Sequence, residues 1–319
     1  MSRTLVTGAS GFIGRWATAE LAALGHDVHA LTRRSAPLPA RKGVTWHTVD
    51  VLDAPSVGRL VANLRAERLL HLAWVTQHRV FWESPDNARW LDASKELVAR
   101  FAESGGFRVV SAGTCAEYDW GDARLADEDC SELATPTAPS TPYGLAKLEL
   151  QRWLAVRSMR WAVGRVFFTY GELEHPDRLV PSVARAVLAG ERARTGPGGI
   201  VRDFLHVADV GAAFAALVDE DVQGPVNVAS GLGTSIAELA TTIAELAGTP
   251  GAVDVGALPG RPNEPPRLVA SAARLKCEVG FLPSLSLLAG LKRAVAWWAA
   301  EKISSSGSPD ACILPKIRL

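Results

Sequence analysis

Charge imbalance is absent from this sequence: 34 basic residues meet 34 acidic ones over 319 positions. A chain without net charge has no general attraction for nucleic acid or for an anionic membrane surface. Long apolar runs are missing too. Without about 20 consecutive apolar residues, no segment is expected to span a bilayer. Cysteine is scarce. Cys115, Cys130, Cys277 and Cys312 lie scattered with no metal-ligand spacing, so no metal site is expected and a reduced, cytoplasmic setting fits. Met1-Ser2-Arg3-Thr4 runs straight into an apolar stretch, so no secretory leader is expected. No internal repeat is visible. What remains is a globular chain long enough for one large domain or two smaller ones.

Glycine is not scarce, and its placement near the start is the first positive signal. Thr7-Gly8-Ala9-Ser10-Gly11-Phe12-Ile13-Gly14 follows the apolar pair Leu5-Val6 and leads into Ala17, Ala19 and Leu21 at helical spacing. That pattern reads as strand, tight turn, helix. Gly8 permits the turn, Gly11 leaves room for a pyrophosphate, and Gly14 lets the helix lie close to the strand. Ser10, Phe12 and Ile13 line the same turn, whose helix N-terminus offers N–H groups and a positive dipole end to phosphate. The spacing of three and three is a variant of the commonest dinucleotide fingerprint; a glycine-rich turn with no ligand is the alternative.

A second strand, Val28–Leu31, ends at Thr32-Arg33-Arg34. An acidic residue at this point would hold the ribose of NAD, whereas an arginine accommodates the 2′-phosphate of NADP. Thr32 with Arg33 therefore points to NADP(H) over NAD(H), against the reading of two solvated arginines. A third strand, Val44–Val49, ends at Asp50-Val51, placed to meet the adenine. Asp53 before Ala54-Pro55 reads instead as a helix N-cap. Leu69–Ala73 is apolar but for His71, as in a strand buried on both faces, and Leu72, Ala73 and Trp74 fall at its dinucleotide end. Residues 87 to 103 are helical by spacing. Phe107–Ser111 is a fifth strand, followed by a small polar cluster that includes Thr114. The long 119–141 loop reads as a site cover. Thr141-Pro142 opens a helix that carries Tyr143 and, four residues on, Lys147 on one face. A sixth strand, 161–168, closes at Thr169-Tyr170-Gly171, and Ser235 to Glu238 forms a capping box. Leu285 to Trp298 is the last long helix.

In this order the motifs resemble those of the extended short-chain dehydrogenase/reductase family, in its NAD(P)-dependent nucleotide-sugar epimerase/dehydratase/reductase branch. The residues concerned are Thr7–Gly14, His71-Leu72-Ala73, Thr114, Tyr143-Gly144-Leu145-Ala146-Lys147, Arg165–Gly171, Arg202–Val207 and Asn227–Gly231. The resemblance implies an α/β fold: a Rossmann doubly wound parallel sheet over residues 1–170, to which 201–230 return. A smaller mixed α/β C-terminal substrate lobe would span 171–303, and 304–319 would be a flexible tail. It implies Tyr143 as proton donor, Lys147 as the cation beside it and a bond to the nicotinamide ribose, and Thr114 as hydrogen-bond partner of the reacting oxygen. Bringing a phenol from about pH 10 to about 7 takes roughly 4 kcal/mol of phenolate stabilisation. Phe167 would touch the cofactor and Phe168 the substrate. Arg202 and Arg261 would clamp a diphosphate, the alternative being ion pairs with Asp203 or Glu264.

The departures narrow the reaction. Dehydratases of this branch carry Asp-Glu after the threonine, whereas this chain has Cys115-Ala116. Trp90 stands near the place of a family asparagine, with Asn87 one turn earlier. The expected activity is NADPH-dependent reduction of a keto group, at C4, on a nucleoside-diphosphate keto-deoxysugar. The alternatives are an epimerase that retains NAD, a reductase of a non-sugar carbonyl, and a cofactor-binding regulator without turnover. A homodimer is expected through a four-helix bundle of the 87–103 and 142–156 helices, with Leu91, Leu148 and Trp153 in its interface.

Overall fold

The computed structural model describes residues 2–33, 40–260 and 264–306. Seven strands form its main sheet: β1 (Arg3–Thr7), β2 (Asp27–Thr32), β3 (Val44–Thr48), β4 (Arg68–His71), β5 (Arg108–Thr114), β6 (Arg160–Val166) and, after three strands outside it, β10 (Gly224–Val228). The order across the sheet is β10-β6-β5-β4-β1-β2-β3, and every pairing is parallel. Parallel strands need crossovers that cover both faces. One face is covered by α1 (Gly14–Ala23) and α6 (Val207–Asp219), where Leu21, Val210, Phe214 and Leu217 join Val6 and Val110 in one apolar cluster. The other carries α2 (Ala54–Leu64), α3 (Asp86–Glu103) and α4 (Pro142–Ala155), with Val57, Leu97, Phe101 and Leu150 against Leu5, Leu69 and Val109. This is the doubly wound α/β sheet expected from the sequence.

Local signals set several helix starts as expected. Asp53 caps α2 by accepting from Ser56 N, with Pro55 at its first turn. Thr141 caps α4 by accepting from Gly144 N. Ser235 and Glu238 form a reciprocal capping box at α7 (Ile236–Leu246).

Some boundaries differ from the periodicity reading. β4 ends at His71, so Leu72 and Ala73 are already in the turn. β5 runs on to Thr114, because Ala112-Gly113-Thr114 pair in register with Gly164-Arg165-Val166. The expected strand over 161–168 is two: β6 ends at Val166, and β7 (Phe168–Tyr170) pairs with β9 (Val201–His206) outside the main sheet. Beside β9 lie β11 (Gly233–Ser235) and β13 (Arg267–Leu268).

By contacts the chain divides into two units. One comprises Met1–Thr169, Ile200–Thr234 and Arg261–Ser284, and includes α8 (Ala273–Cys277). The other comprises Tyr170–Gly199, Ser235–Gly260 and Leu285–Leu319. In the second unit α5 (Leu179–Leu188), α7 and α9 (Leu287–Ser306) pack on one another. Val183, Val187, Ile243 and Leu291 are buried there, and β8 (Ala193–Arg194) pairs with β12 (Val253–Asp254). The last helix continues through Ser306 rather than giving way to a tail at 304. Among the described residues no helix is long and apolar enough to cross a membrane.

Candidate active site

The turn from β1 into α1 has a shape that could hold a phosphate. Gly8 has φ +67°, a conformation L side chains rarely adopt, and a Cβ there would lie 2.8 Å from Ala73 N. A Cβ on Gly14 would lie 2.0 Å from Gly8 O, so only glycine lets the helix start this close. Ile13 occupies the N-cap with no side-chain cap, and the first turn holds no acid. N–H groups left open at a positive dipole end fit a dinucleotide pyrophosphate. Ser10 Oγ bonds Thr32 Oγ1 at 2.9 Å, tying this turn to the end of β2. Arg15 donates to Gly11 O and Ser10 O. Thr32 is buried and Arg33 beside it is exposed; Phe12 and Ile13 are half-buried. Asp50 accepts from Leu52 N through one carboxylate oxygen, and Val51 is buried.

At the end of β4 a polar chain fixes the backbone beside this cradle. Ser94 Oγ donates to Trp90 O at 2.6 Å, so its oxygen accepts from His71 Nε2 at 2.8 Å. His71 Nδ1 then accepts from Thr7 Oγ1, 2.8 Å away. Thr7 Oγ1 in turn accepts from Ala73 N. That order of donors fixes the neutral Nε2–H tautomer. Burial, helped by Lys147, pushes the His71 pKa down to about 3, so it is a neutral strut rather than a proton carrier.

The third cluster joins β5 to α4. Thr114 closes β5, and its hydroxyl accepts from Ala116 N, leaving the hydroxyl proton unused in that bond. Glu117 Oε1 reaches back to accept from Thr114 N at 2.9 Å, and Arg165 Nε donates to Glu117 Oε2 at 2.8 Å in a pair with almost no exposure on either side. A Cβ on Gly144 would lie 2.4 Å from Ala116 O, so the first turn of α4, with Tyr143, abuts the turn after Thr114. Tyr143 is half-buried, with its ring edge-on to Phe81 and Trp82. One helical turn on, Lys147 is buried and its Nζ donates to Ala112 O at 2.8 Å. The same ammonium lies 3.8 Å from the centre of the Trp74 ring. Burial lowers the Lys147 pKa to about 7, and the Glu117 charge opposes that shift. Cys115 and Ala116 are buried, and burial pushes the Cys115 thiol up to about 12. Neither can act as acid or base.

Arg202 is buried, with Nη2 on Glu264 Oε1 at 2.8 Å, Nη1 on Val201 O, and the guanidinium over Phe168 at 5.4 Å. The ion pair with Glu264 is therefore present. The one with Asp203 is not, because Asp203 accepts from Ser230 N, Ser230 Oγ, Gly231 N and Ala270 N. Arg261 lies outside the described residues. Phe167 is buried beside Tyr118, and Phe168 packs on Phe204. Leu91 and Trp153 are half-buried, but Leu148 is 2% exposed and packed within the chain, so it is not on an outward helix face. Leu145 and Val156 are exposed instead. Among the described residues no His/Cys/Asp/Glu group is arranged to hold a metal.

Three features were missed in the sequence. Glu117 was findable, since Thr-x-x-Glu from Thr114 is a capping box. Arg15, one residue past Gly14, was findable as a cation at the phosphate end of α1. The Trp74–Lys147 contact spans 73 positions of sequence and had no local signal.

The sequence profile of the NAD-dependent epimerase/dehydratase family matches residues 4–229. The chain is 29% identical to GDP-6-deoxy-D-mannose reductase of Pseudomonas aeruginosa, over 94% of this chain and 98% of that protein. It is 26% identical to UDP-glucose 4-epimerase of Azospirillum brasilense, over 97% and 95% respectively. Among solved structures it resembles Thermus thermophilus UDP-glucose 4-epimerase in complex with NAD, with a TM-score of 0.82, 27% identity and coverage of 93% and 98%.

Proposed function

The chain belongs to the NAD-dependent epimerase/dehydratase family, and from that membership we propose that it is an NADPH-dependent reductase of a nucleoside-diphosphate keto-deoxysugar, acting at C4. One observation carries the reading. Lys147 is fixed to Ala112 O at the end of β5, with Thr114 two residues on and Tyr143 one helical turn back, and no acid stands at Cys115 or Ala116. That set supplies one proton and one oriented oxygen, and nothing for elimination of water.

The cofactor would lie on Gly8, Ser10, Gly11 and the open start of α1, reaching past Ala73 towards Lys147. The chemistry it supplies when bound is hydride transfer to the carbonyl carbon. Thr114 donates its hydroxyl proton to the substrate oxygen and orients it. Tyr143 gives up its phenolic proton to that oxygen as charge develops, and the Lys147 ammonium stabilises the phenolate. NADPH is supported by Thr32, which stands at the end of β2 where an acid would hold a ribose hydroxyl and which bonds Ser10, and by the exposed Arg33 that follows it. Arg202 would receive the substrate diphosphate by exchanging its Glu264 partner, so that binding energy far from the reacting carbon is spent on orientation. The first unit, which includes Ile200–Thr234 as well as Met1–Thr169, would then bind the dinucleotide and, through Arg202, the substrate diphosphate. The chain would work as a cytoplasmic homodimer through α3 and α4, with Leu91, Leu145 and Trp153 at the contact; a monomer by light scattering at micromolar concentration refutes the dimer.

The test is to incubate the protein with NADPH and a 4-keto-6-deoxy nucleotide sugar. Stoichiometric NADPH loss and a product two mass units heavier are expected. A second reading, epimerase, is favoured by the likeness to the Azospirillum and Thermus enzymes. Mass-neutral conversion of a 4-hydroxy nucleotide sugar without added cofactor would establish it and overturn the reductase.

A further inference from the structure

Lys147 sits in a setting that should strip it of charge. Its ammonium is buried and, among the described residues, donates to one acceptor, Ala112 O. Taking a cation out of water costs more than one neutral carbonyl returns. The charged and titratable groups packed around it are few. Glu117, from the turn after β5, pulls towards the charged form but is already bonded to Arg165. His71, from β4, is neutral. Tyr143 lies one turn back on the same helix.

The remaining neighbour is a π face. The Trp74 ring centre lies 3.8 Å from Lys147 Nζ, well inside the range in which a ring quadrupole attracts a cation, and the attraction grows when the pair is dry. Trp74 itself is locked. Its Nε1 donates to Asn87 Oδ1 at 2.8 Å, and Asn87 Nδ2 donates to Phe81 O and Ser84 O. Trp90 packs against it at 6.2 Å. A ring anchored at its polar edge and braced by a second indole presents a fixed face to the ammonium.

We propose that Trp74 is a positioning residue that holds the Lys147 ammonium charged and aimed, with Asn87 fixing the ring. The inference rests on the reading of Lys147 as the working cation, but its test needs neither cofactor nor substrate. The probe is the titration of Lys147 in protein carrying 13Cε-lysine, assigned with Lys147→Met. In Trp74→Leu, which keeps an apolar neighbour but no π face, the Lys147 pKa is expected to fall by about 0.5 to 1.5 units, the span of a cation–π contact at 1.36 kcal/mol per unit. Trp74→Phe should recover at least half of that fall. Should Trp74→Leu fail to fold, protein made with mono-, di- and trifluorinated tryptophan answers the same question without changing shape, since fluorine drains the ring face. The Lys147 pKa should then fall stepwise with fluorine number. An unchanged titration across the series, a rise in Trp74→Leu, or a Phe variant no better than Leu overturns the proposal. With substrate, the high-pH limb of kcat/KM should move down by the same amount in Trp74→Leu, which a structural role alone would not produce.

Discussion

Two turns at the same edge of one sheet, after β1 and after β5, are built in opposite ways. At β1–α1 the backbone is the instrument: a glycine at φ +67°, a helix start with no side-chain cap, and a second glycine with no room for a Cβ. At β5–α4 side chains make the geometry: Thr114, Tyr143 and Lys147 come together there, with Glu117, Arg165 and Trp74 beside them. The first turn is defined by backbone shape. The second holds buried charges, Lys147 against Trp74 and Arg165 against Glu117, each met by a neighbour from another element.

The sharpest way to part the two turns is Tyr143→Phe. The ring still packs on Phe81 and Trp82 and only the acid is lost, so kcat should fall roughly 100- to 10,000-fold while NADPH affinity by fluorescence titration stays nearly unchanged. Near-native kcat would remove Tyr143 from the role. Lys147→Ala should damage both quantities.

A pH series on the protein without cofactor comes next. The folded Lys147 pKa, about 7, is below its unfolded value, so between those values the unfolded chain binds the extra proton and stability rises with pH. The slope is at most about 1.4 kcal/mol per unit. Above pH 9, burial of Cys115 and Cys130 works the other way, because their folded values lie above the unfolded ones. From pH 7 to 9 the wild-type minus Lys147→Met stability by urea unfolding should therefore rise, by up to about 2.7 kcal/mol. A flat difference would mean the ammonium is not desolvated.

Gly14→Ala tests the backbone turn. With a Cβ 2.0 Å from Gly8 O, α1 must shift, costing about 1–3 kcal/mol of stability. NADPH affinity should drop more than tenfold, while the Lys147 titration should not move. If cofactor binding survives, the cradle is misassigned.

The smallest effect is expected from Arg33→Ala, which should cut the NADPH-over-NADH ratio of kcat/KM by about tenfold, the worth of one charged hydrogen bond. A wild-type ratio favouring NADH would refute the NADP assignment.

The glycine turn, the Asp53, Thr141 and Ser235 caps and the strand cores were legible because each depends on residues within about one helical turn, or on alternation along one strand. The ends of β4 and β5 and the split between β6 and β7 were not, since hydrogen bonds from a neighbouring strand decide where a strand stops. Leu148 shows the same limit on a helix: spacing marked it apolar, and only packing decided that the chain buries it.

The sequence by itself determined the tight glycine turn, the helix caps and most strand cores, because local sterics and periodicity need no partner from afar; the doubly wound sheet and the roles expected of Thr114, Tyr143 and Lys147 came from the resemblance of the motifs to a family. Only the tertiary structure decided what surrounds that set. It brought Trp74 over Lys147, Arg165 onto Glu117 and Glu264 onto Arg202. The reason is physical: a buried charge is stabilised or extinguished by whatever lies within a few ångströms of it, and those neighbours come from strands and helices far away along the chain.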